Sequence, residues 1–204
     1  DGKLDYANIA PGGNHYVGVN YGAGAGGRSS QLFIDSGNVS LGVAIGDVDG
    51  DGRPDLVTGG HAGPRGPIAV YLNDGTADLA PRVLYGALNT QVYVHRLEDM
   101  DADGDLDIVA TGNDGQWFVA VYDNNGAGQF NSAPAVFHTL GGEISDVAVG
   151  DANKDGVKDI ISTNYTGHSI DVLPGNGIGG FGAIYRVTSP TMLRTVGVAV
   201  GKFQ

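Results

Sequence analysis

Cysteine is absent from all 204 residues, so no disulfide framework and no thiol chemistry is available. Basic residues are scarce: 11 Lys and Arg stand against 23 Asp and Glu, a net charge of −12. Nucleic-acid binding needs a basic stripe, and none is present. No apolar run approaches the ~18 residues of a membrane-spanning helix. Long helices are disfavoured by 36 Gly and 8 Pro. No nucleophile elbow, phosphate loop, Cys-His set or Ser-His-Asp order occurs. No secretory leader is visible and the first residue is Asp1, so the chain reads as a mature product or a fragment.

What is present is acid, and much of it sits in three short loops. Asp47-Val-Asp-Gly-Asp-Gly-Arg-Pro-Asp55 returns as Asp99-Met-Asp-Ala-Asp-Gly-Asp-Leu-Asp107 and as Asp151-Ala-Asn-Lys-Asp-Gly-Val-Lys-Asp159. Carboxylates packed this closely repel one another unless a cation sits among them. Ca²⁺ fits, because it takes six to eight hard oxygens in flexible geometry. The expected side-chain ligands are Asp47, Asp49, Asp51 and Asp55; Asp99, Asp101, Asp103 and Asp107; and Asp151, Asn153, Asp155 and Asp159. The seventh residues, Arg53, Asp105 and Val157, would give backbone carbonyls. An EF-hand needs Glu at position twelve, where this chain has Thr58, Ala110 and Ser162. Three bound Ca²⁺ would halve the formal charge.

The loops begin at 47, 99 and 151, a fixed spacing of 52. That period, with strand-like content, predicts an all-β propeller of four blades of about 51 residues, each with four strands. Gln91–Leu97 leads into the second loop, Asp107–Thr111 leads out, and Trp117–Tyr122 and Ala135–His138 follow. The N-terminus supplies three strands, Leu4–Ile9, Tyr16–Asn20 and Gln31–Ile34, the last two joined by a loose Gly22–Gly27 turn. Thr195–Gly201 supplies the missing innermost strand. The single domain, residues 1–204, thus divides into units of about 1–46 with 195–204, 47–98, 99–150 and 151–201. The ring closes through the C-terminal strand, or the chain is half of a larger dimeric ring. Closure would rebuild a fourth, degenerate loop from Lys202, Gln204, Asp1 and Asp5, with an ammonium at the first ligand position. Small residues line one face of the inner strands (Gly46, Ala44, Gly42; Gly150, Ala148; Gly201, Ala199, Gly197), with Arg96, Glu98 and Asp146 interrupting them.

These repeats resemble FG-GAP/VCBS repeats, as in the propeller of integrin α-subunits, certain fungal lectins and many secreted microbial proteins. The resemblance covers essentially the whole chain. It implies that the loop positions above are structural calcium ligands on one face. Of the family's Phe-Gly signature, Phe181-Gly182 fits and Phe130-Asn131 fits in part.

Positions that break the repeat are candidates for ligand contact. Trp117, His15 and His168 align at the start of third strands, with Tyr16 and Phe118 following two of them. A Trp at a rim combines apolar area with an N–H donor, which suits a sugar face or a partner protein. Packing between blades is the alternative for Trp117 and Phe118, as is an Arg96–Glu98 ion pair for the channel. Two sequons, Asn38-Val-Ser40 and Asn164-Tyr-Thr166, also occur. The residues favour a calcium-stabilised extracellular binding module, lectin-like or adhesive, with a glycan or an extracellular protein as partner and a homodimer as one assembly. The alternatives are a secreted polysaccharide lyase or hydrolase working near Arg96, Glu98 and Asp146, and a structural repeat of a larger surface protein.

Overall fold

The computed structural model describes residues 4–9, 16–25, 27–35, 40–60, 68–76, 79, 83–85, 91–139, 141–189 and 194–201. Within them there is no helix, and every strand pair is antiparallel. Sheet one holds β1 (Tyr6–Ile9), β2 (Tyr16–Gly24) and β3 (Gly27–Asp35). Sheet two holds β4 (Ser40–Gly46), β5 (Asp55–Gly60), β6 (Ile68–Tyr71) and β7 (Val83–Tyr85). Sheet three holds β8 (Gln91–Glu98), β9 (Asp107–Asn113), β10 (Trp117–Tyr122) and β11 (Ala135–His138). Sheet four holds β12 (Val147–Gly150), β13 (Asp159–Asn164), β14 (Ser169–Leu173) and β15 (Tyr185–Thr188).

Each sheet is a simple meander, so sequence neighbours are also hydrogen-bonded neighbours. The first strands of sheets two, three and four lie side by side, and β1 lies against β4. Three apolar clusters fill the seams between successive sheets. Val17, Leu56, Ala69 and Tyr71 join sheets one and two. Val48, Val70, Val92, Ile108, Phe118, Tyr122 and Phe130 join two and three. Met100, Val109, Val121, Ile144, Val147 and Ile160 join three and four. The central strands β5, β6 and β13 are buried at every position, their polar members Asp55, Thr58, Asp159, Ser162, Thr163 and Asn164 included.

Small residues on the first strands serve close approach between sheets. A methyl group added at Gly46 would lie 2.9 Å from the Leu106 side chain, and one at Gly150 would lie 2.7 Å from Val200.

Two expectations need correction. The Gly22–Gly27 stretch is not a loose loop. β2 runs on to Gly24 and β3 starts at Gly27, with register shifts at Gly22 absorbing the irregularity. Residues 195–201 form no strand, and sheet one has three strands. The reason is where that segment lies. Val198 N–H donates to Asp146 Oδ2 at 3.1 Å, Ser145 Oγ to the Thr195 carbonyl at 2.8 Å, and Thr195 Oγ1 to the Asn164 and Ser169 carbonyls. These anchors lie in sheet four or just before its first strand, whereas the edge it would complete is β1.

Phe118 is fully buried, and Gly112 across the ladder leaves room for its ring. Phe118→Ala is expected to cost about 3–5 kcal/mol in urea unfolding, with Phe118→Leu well below that.

Candidate functional site

The three acidic loops share one hydrogen-bond plan. The first residue caps the turn: Asp47 accepts from Gly50 N–H at 2.9 Å and Gly52 N–H at 2.8 Å, Asp99 from Ala102 N–H at 2.7 Å, and Asp151 from Gly156 N–H at 3.0 Å. The third and fifth each accept an N–H two residues ahead, as in Asp49–Asp51, Asp101–Asp103 and Asn153–Asp155. The sixth residue is Gly because φ there is +84°, +98° and +89° at Gly52, Gly104 and Gly156.

The ninth residue is different. Asp55, Asp107 and Asp159 are buried, and both oxygens of each are used. Oδ2 accepts the N–H of the loop's second residue: Val48, Met100 or Ala152, each at 2.9 Å. Oδ1 accepts an N–H just past the third strand: Asn73 at 2.7 Å, Asn124 at 2.9 Å, Gly175 at 3.0 Å. One carboxylate therefore ties the loop's entry to the chain some seventeen residues further on. Asp5 repeats half of this plan, accepting Gly22 N–H at 2.8 Å. Lys202, Gln204 and Asp1, the rest of the expected fourth loop, lie outside the described residues.

The loops concentrate negative charge. Burial pushes the Asp107 carboxyl up to about 6 against the pull of its two N–H donors, and Asp101 and Asp123 add negative charge beside it. Burial also raises Asp55 and Asp101. Carboxylate oxygens of Asp47, Asp49 and Asp55 lie within 4.8 Å of one another, and so do those of Asp99, Asp101 and Asp107. Each triad can hold a metal ion. In the third loop Asp151, Asn153 and Asp159 occupy the same positions, and Asn153 Nδ2 donates to Asp155 at 2.8 Å. The fifth residue Asp51 pairs with the Arg53 guanidinium, which also donates to the Asn73 carbonyl at 2.8 Å.

Strand direction puts the loops at one end of the sheets and the starts of the third strands at the other. Trp117 opens β10 there, half-buried, with its ring 6.1 Å from that of Tyr93. Tyr93 hydroxyl donates to Gln91 Oε1 at 3.3 Å, and the Trp117 carbonyl accepts from Thr139. Tyr16 opens β2 and is 46% exposed. His168 precedes β14 with φ +51°, and its Nδ1 accepts the Arg194 N–H at 2.9 Å. The Arg194 guanidinium lies over the Tyr165 ring, 5.5 Å from its centre. His15 lies outside the described residues. Phe118 is not a ligand contact: it points to the opposite side from Trp117, as period two requires, and is core. Asn164 of the second sequon is buried and accepts Gly167 N–H at 2.7 Å. Asn38 lies outside the described residues.

Arg96 and Glu98 serve the seam between sheets three and four. Arg96 stands 3.9 Å from Asp146, and Lys158 Nζ donates to Glu98 at 3.1 Å. The expected Arg96–Glu98 pair gives way to these two crossings. Sequence reasoning missed Asn124, whose Nδ2 donates to the Val48 carbonyl at 2.7 Å and so pins the acidic loop of the preceding sheet. Its recurrence as Asn73, eighteen residues past Asp55, was the available signal.

The FG-GAP-like repeat profile matches residues 1–58 and 99–162, more than half of the chain. The chain belongs to the FG-GAP-like repeat family. No curated protein matches it. Among solved structures it is similar to a lectin from Agrocybe aegerita, described by its specific recognition of non-reducing terminal N-acetylglucosamine. The TM-score is 0.60 at 25% identity, over 87% of this chain and 48% of the lectin. This FG-GAP chain therefore spans about half the length of that neighbour.

The buried and exposed acids of one loop should separate in mutation. Asp107→Ala leaves the Met100 and Asn124 N–H groups without their acceptor and should cost about 2–4 kcal/mol even in metal-free protein. Asp103→Asn should leave the metal-free melting temperature within about 2 °C and weaken only metal binding, read by calorimetric titration.

Proposed function

We propose that this chain is a calcium-stabilised, extracellular glycan-binding module built as a β-propeller, residues 1–204 forming one domain of four blades. The observation that carries the glycan reading is the half-buried Trp117 against Tyr93 at the end opposite the acidic loops, in a fold similar to an N-acetylglucosamine-recognising lectin. Two aromatic faces offer a sugar ring its apolar side contact, while Gln91 and Thr139 offer hydrogen bonds. Tyr16 and His168 hold the equivalent rim of sheets one and four, giving repeated shallow sites of the kind multivalent recognition uses.

The acid triads take a structural ion. The hard oxygens and flexible loop suit calcium over the smaller, octahedral magnesium. Loops of this openness bind usefully at the millimolar calcium found outside cells, which is the argument for an extracellular setting.

Calcium should raise the melting temperature and a chelator should lower it; an identical curve in both conditions sinks the ion. On a glycan array the calcium-loaded chain should bind saccharides with terminal N-acetylhexosamine. Trp117→Ala should weaken that binding about tenfold or more without lowering the melting temperature to the same degree as Phe118→Ala. An array without hits removes the glycan reading.

A further inference from the structure

The turn that follows β10 is gripped by two acidic loops at once: loop one (Asp47–Asp55) and loop two (Asp99–Asp107). Asn124 stands at its start and is 7% exposed. Its backbone N–H donates to Oδ1 of Asp107, a member of the second acid triad, at 2.9 Å. Its Nδ2 carries two hydrogens and has two acceptors, the Leu106 carbonyl at 3.1 Å and the Val48 carbonyl at 2.7 Å. Leu106 directly precedes Asp107. Val48 lies between Asp47 and Asp49, which with Asp55 form the first triad. The Asn124 Oδ1 accepts the Asn125 N–H at 2.9 Å, so both ends of the amide are held.

The rest of the turn repeats the grip. Gly128 N–H donates to the same Val48 carbonyl at 2.9 Å. A methyl group added at Gly128 would lie 3.5 Å from the Asp49 Cβ, and one at Gly50 would lie 3.7 Å from the Gly126 carbonyl. Gly126 also faces loop two, where an added methyl would strike the Asp105 carboxylate. Residues 124–128 therefore have one acidic loop on each side.

This placement links the two triads. Drawing Asp99, Asp101 and Asp107 onto an ion fixes Asp107, and through it Asn124. Asn124 then holds Val48, the peptide between two acids of the first triad. Whichever loop fills first orders the shared turn, so the second loop to fill meets a smaller entropy cost. The effect is the same in either order, as linkage requires.

The next seam lacks the device. At loop three (Asp151–Asp159) Gly175 takes the place of Asn124. Its N–H donates to Asp159 Oδ1 at 3.0 Å, but it has no side chain to reach back to loop two, and one added there would strike the Lys158 carbonyl.

We propose that Asn124 is a positioning residue that couples loops one and two, so that an ion in either raises the affinity of the other, while loop three fills independently of loop two. The inference rests on the calcium reading of the acid triads and not on glycan binding.

Calorimetric calcium titration of the 204-residue chain tests it. Loops are disabled by paired changes that spare the ninth residue: Asp47→Asn/Asp49→Asn, Asp99→Asn/Asp101→Asn or Asp151→Asn/Asp155→Asn. With loops one and two kept, the product of the two binding constants should exceed the product from the two single-loop chains about fivefold or more. With loops two and three kept, the two products should agree within about twofold, and Asn124→Ala should bring the first pair to the same agreement. In the chain keeping loop two alone, calcium should slow hydrogen exchange at Gly128, whose acceptor Val48 belongs to loop one. Equal products for loops one and two, the same excess for loops two and three, an excess that survives Asn124→Ala, or an unchanged Gly128 rate overturns the proposal. The comparison of pairs keeps Asn124 as it stands, so it decides even where Asn124→Ala does not fold. Single-loop chains that take up no calcium remove the calcium reading and this inference with it, whereas uptake with equal products overturns this inference alone.

Discussion

The buried aspartate at the ninth loop position is the constraint on which the rest of the structure depends. Asp55 and Asp107 each hold two backbone N–H groups, and Asp159 holds the same two with the Asn153 N–H besides. One comes from the loop entry and the other from the turn after the third strand. A single carboxylate thus fixes three strands at one end of a sheet. Burial raises the Asp107 and Asp55 carboxyls toward their neutral form against the pull of these donors, a cost that positive charge offsets. The backbone N–H groups supply part of it, and the outer acids stand where a metal ion could supply more. The acidic loop and the sheet corner are therefore one device, with the ninth residue belonging to both.

The same corner sets how sheets meet. Once the loop's second residue is tied to the aspartate, its side chain is driven into the seam, as Val48 and Met100 are. Its carbonyl then faces the next sheet, where Asn124 and Gly128 donate to it. Tyr85 closes the same joint from sheet two, giving its hydroxyl hydrogen to the Gly128 carbonyl at 3.3 Å. The short loop thus adds a polar joint to the apolar seam between sheets two and three. At the seam of sheets three and four the ion pairs Arg96–Asp146 and Lys158–Glu98 add to this, both partly solvated and so each worth about 1 kcal/mol or less.

Much of the molecule was legible in the sequence, for physical reasons. Strand identity followed from period-two patterning and from the turn residues that interrupt it. β10 and β11 begin and end where the pattern says, at Trp117–Tyr122 and Ala135–His138. The acidic loops were legible because their oxygens, glycine and spacing are all local. Long-range placement was not legible. Nothing local distinguishes residues 195–201 from β4, yet one is a strand and the other is not, because a strand needs an edge to pair with. Nor did the repeat reveal that Asp51 turns to Arg53, since that depends on the length and reach of one side chain.

The rim shows why alignment in a repeat does not by itself locate a site. Trp117 and Phe118 are adjacent, aromatic and at the same strand start, and sequence alone offers both to a ligand. The pleat separates them. Phe118 enters the seam of sheets two and three, where Gly112 is hollowed to receive it, and Trp117 turns toward Ile144 and Tyr93 on the other side. A residue sealed inside a seam cannot be given to a partner. Trp117, half-buried against its seam, keeps surface at the rim with Tyr93 and Tyr16, and Phe118 does not. At the other end the roles overlap: Asp47 and Asp49, or Asp99 and Asp101, could hold an ion together with the ninth residue, which also carries the fold.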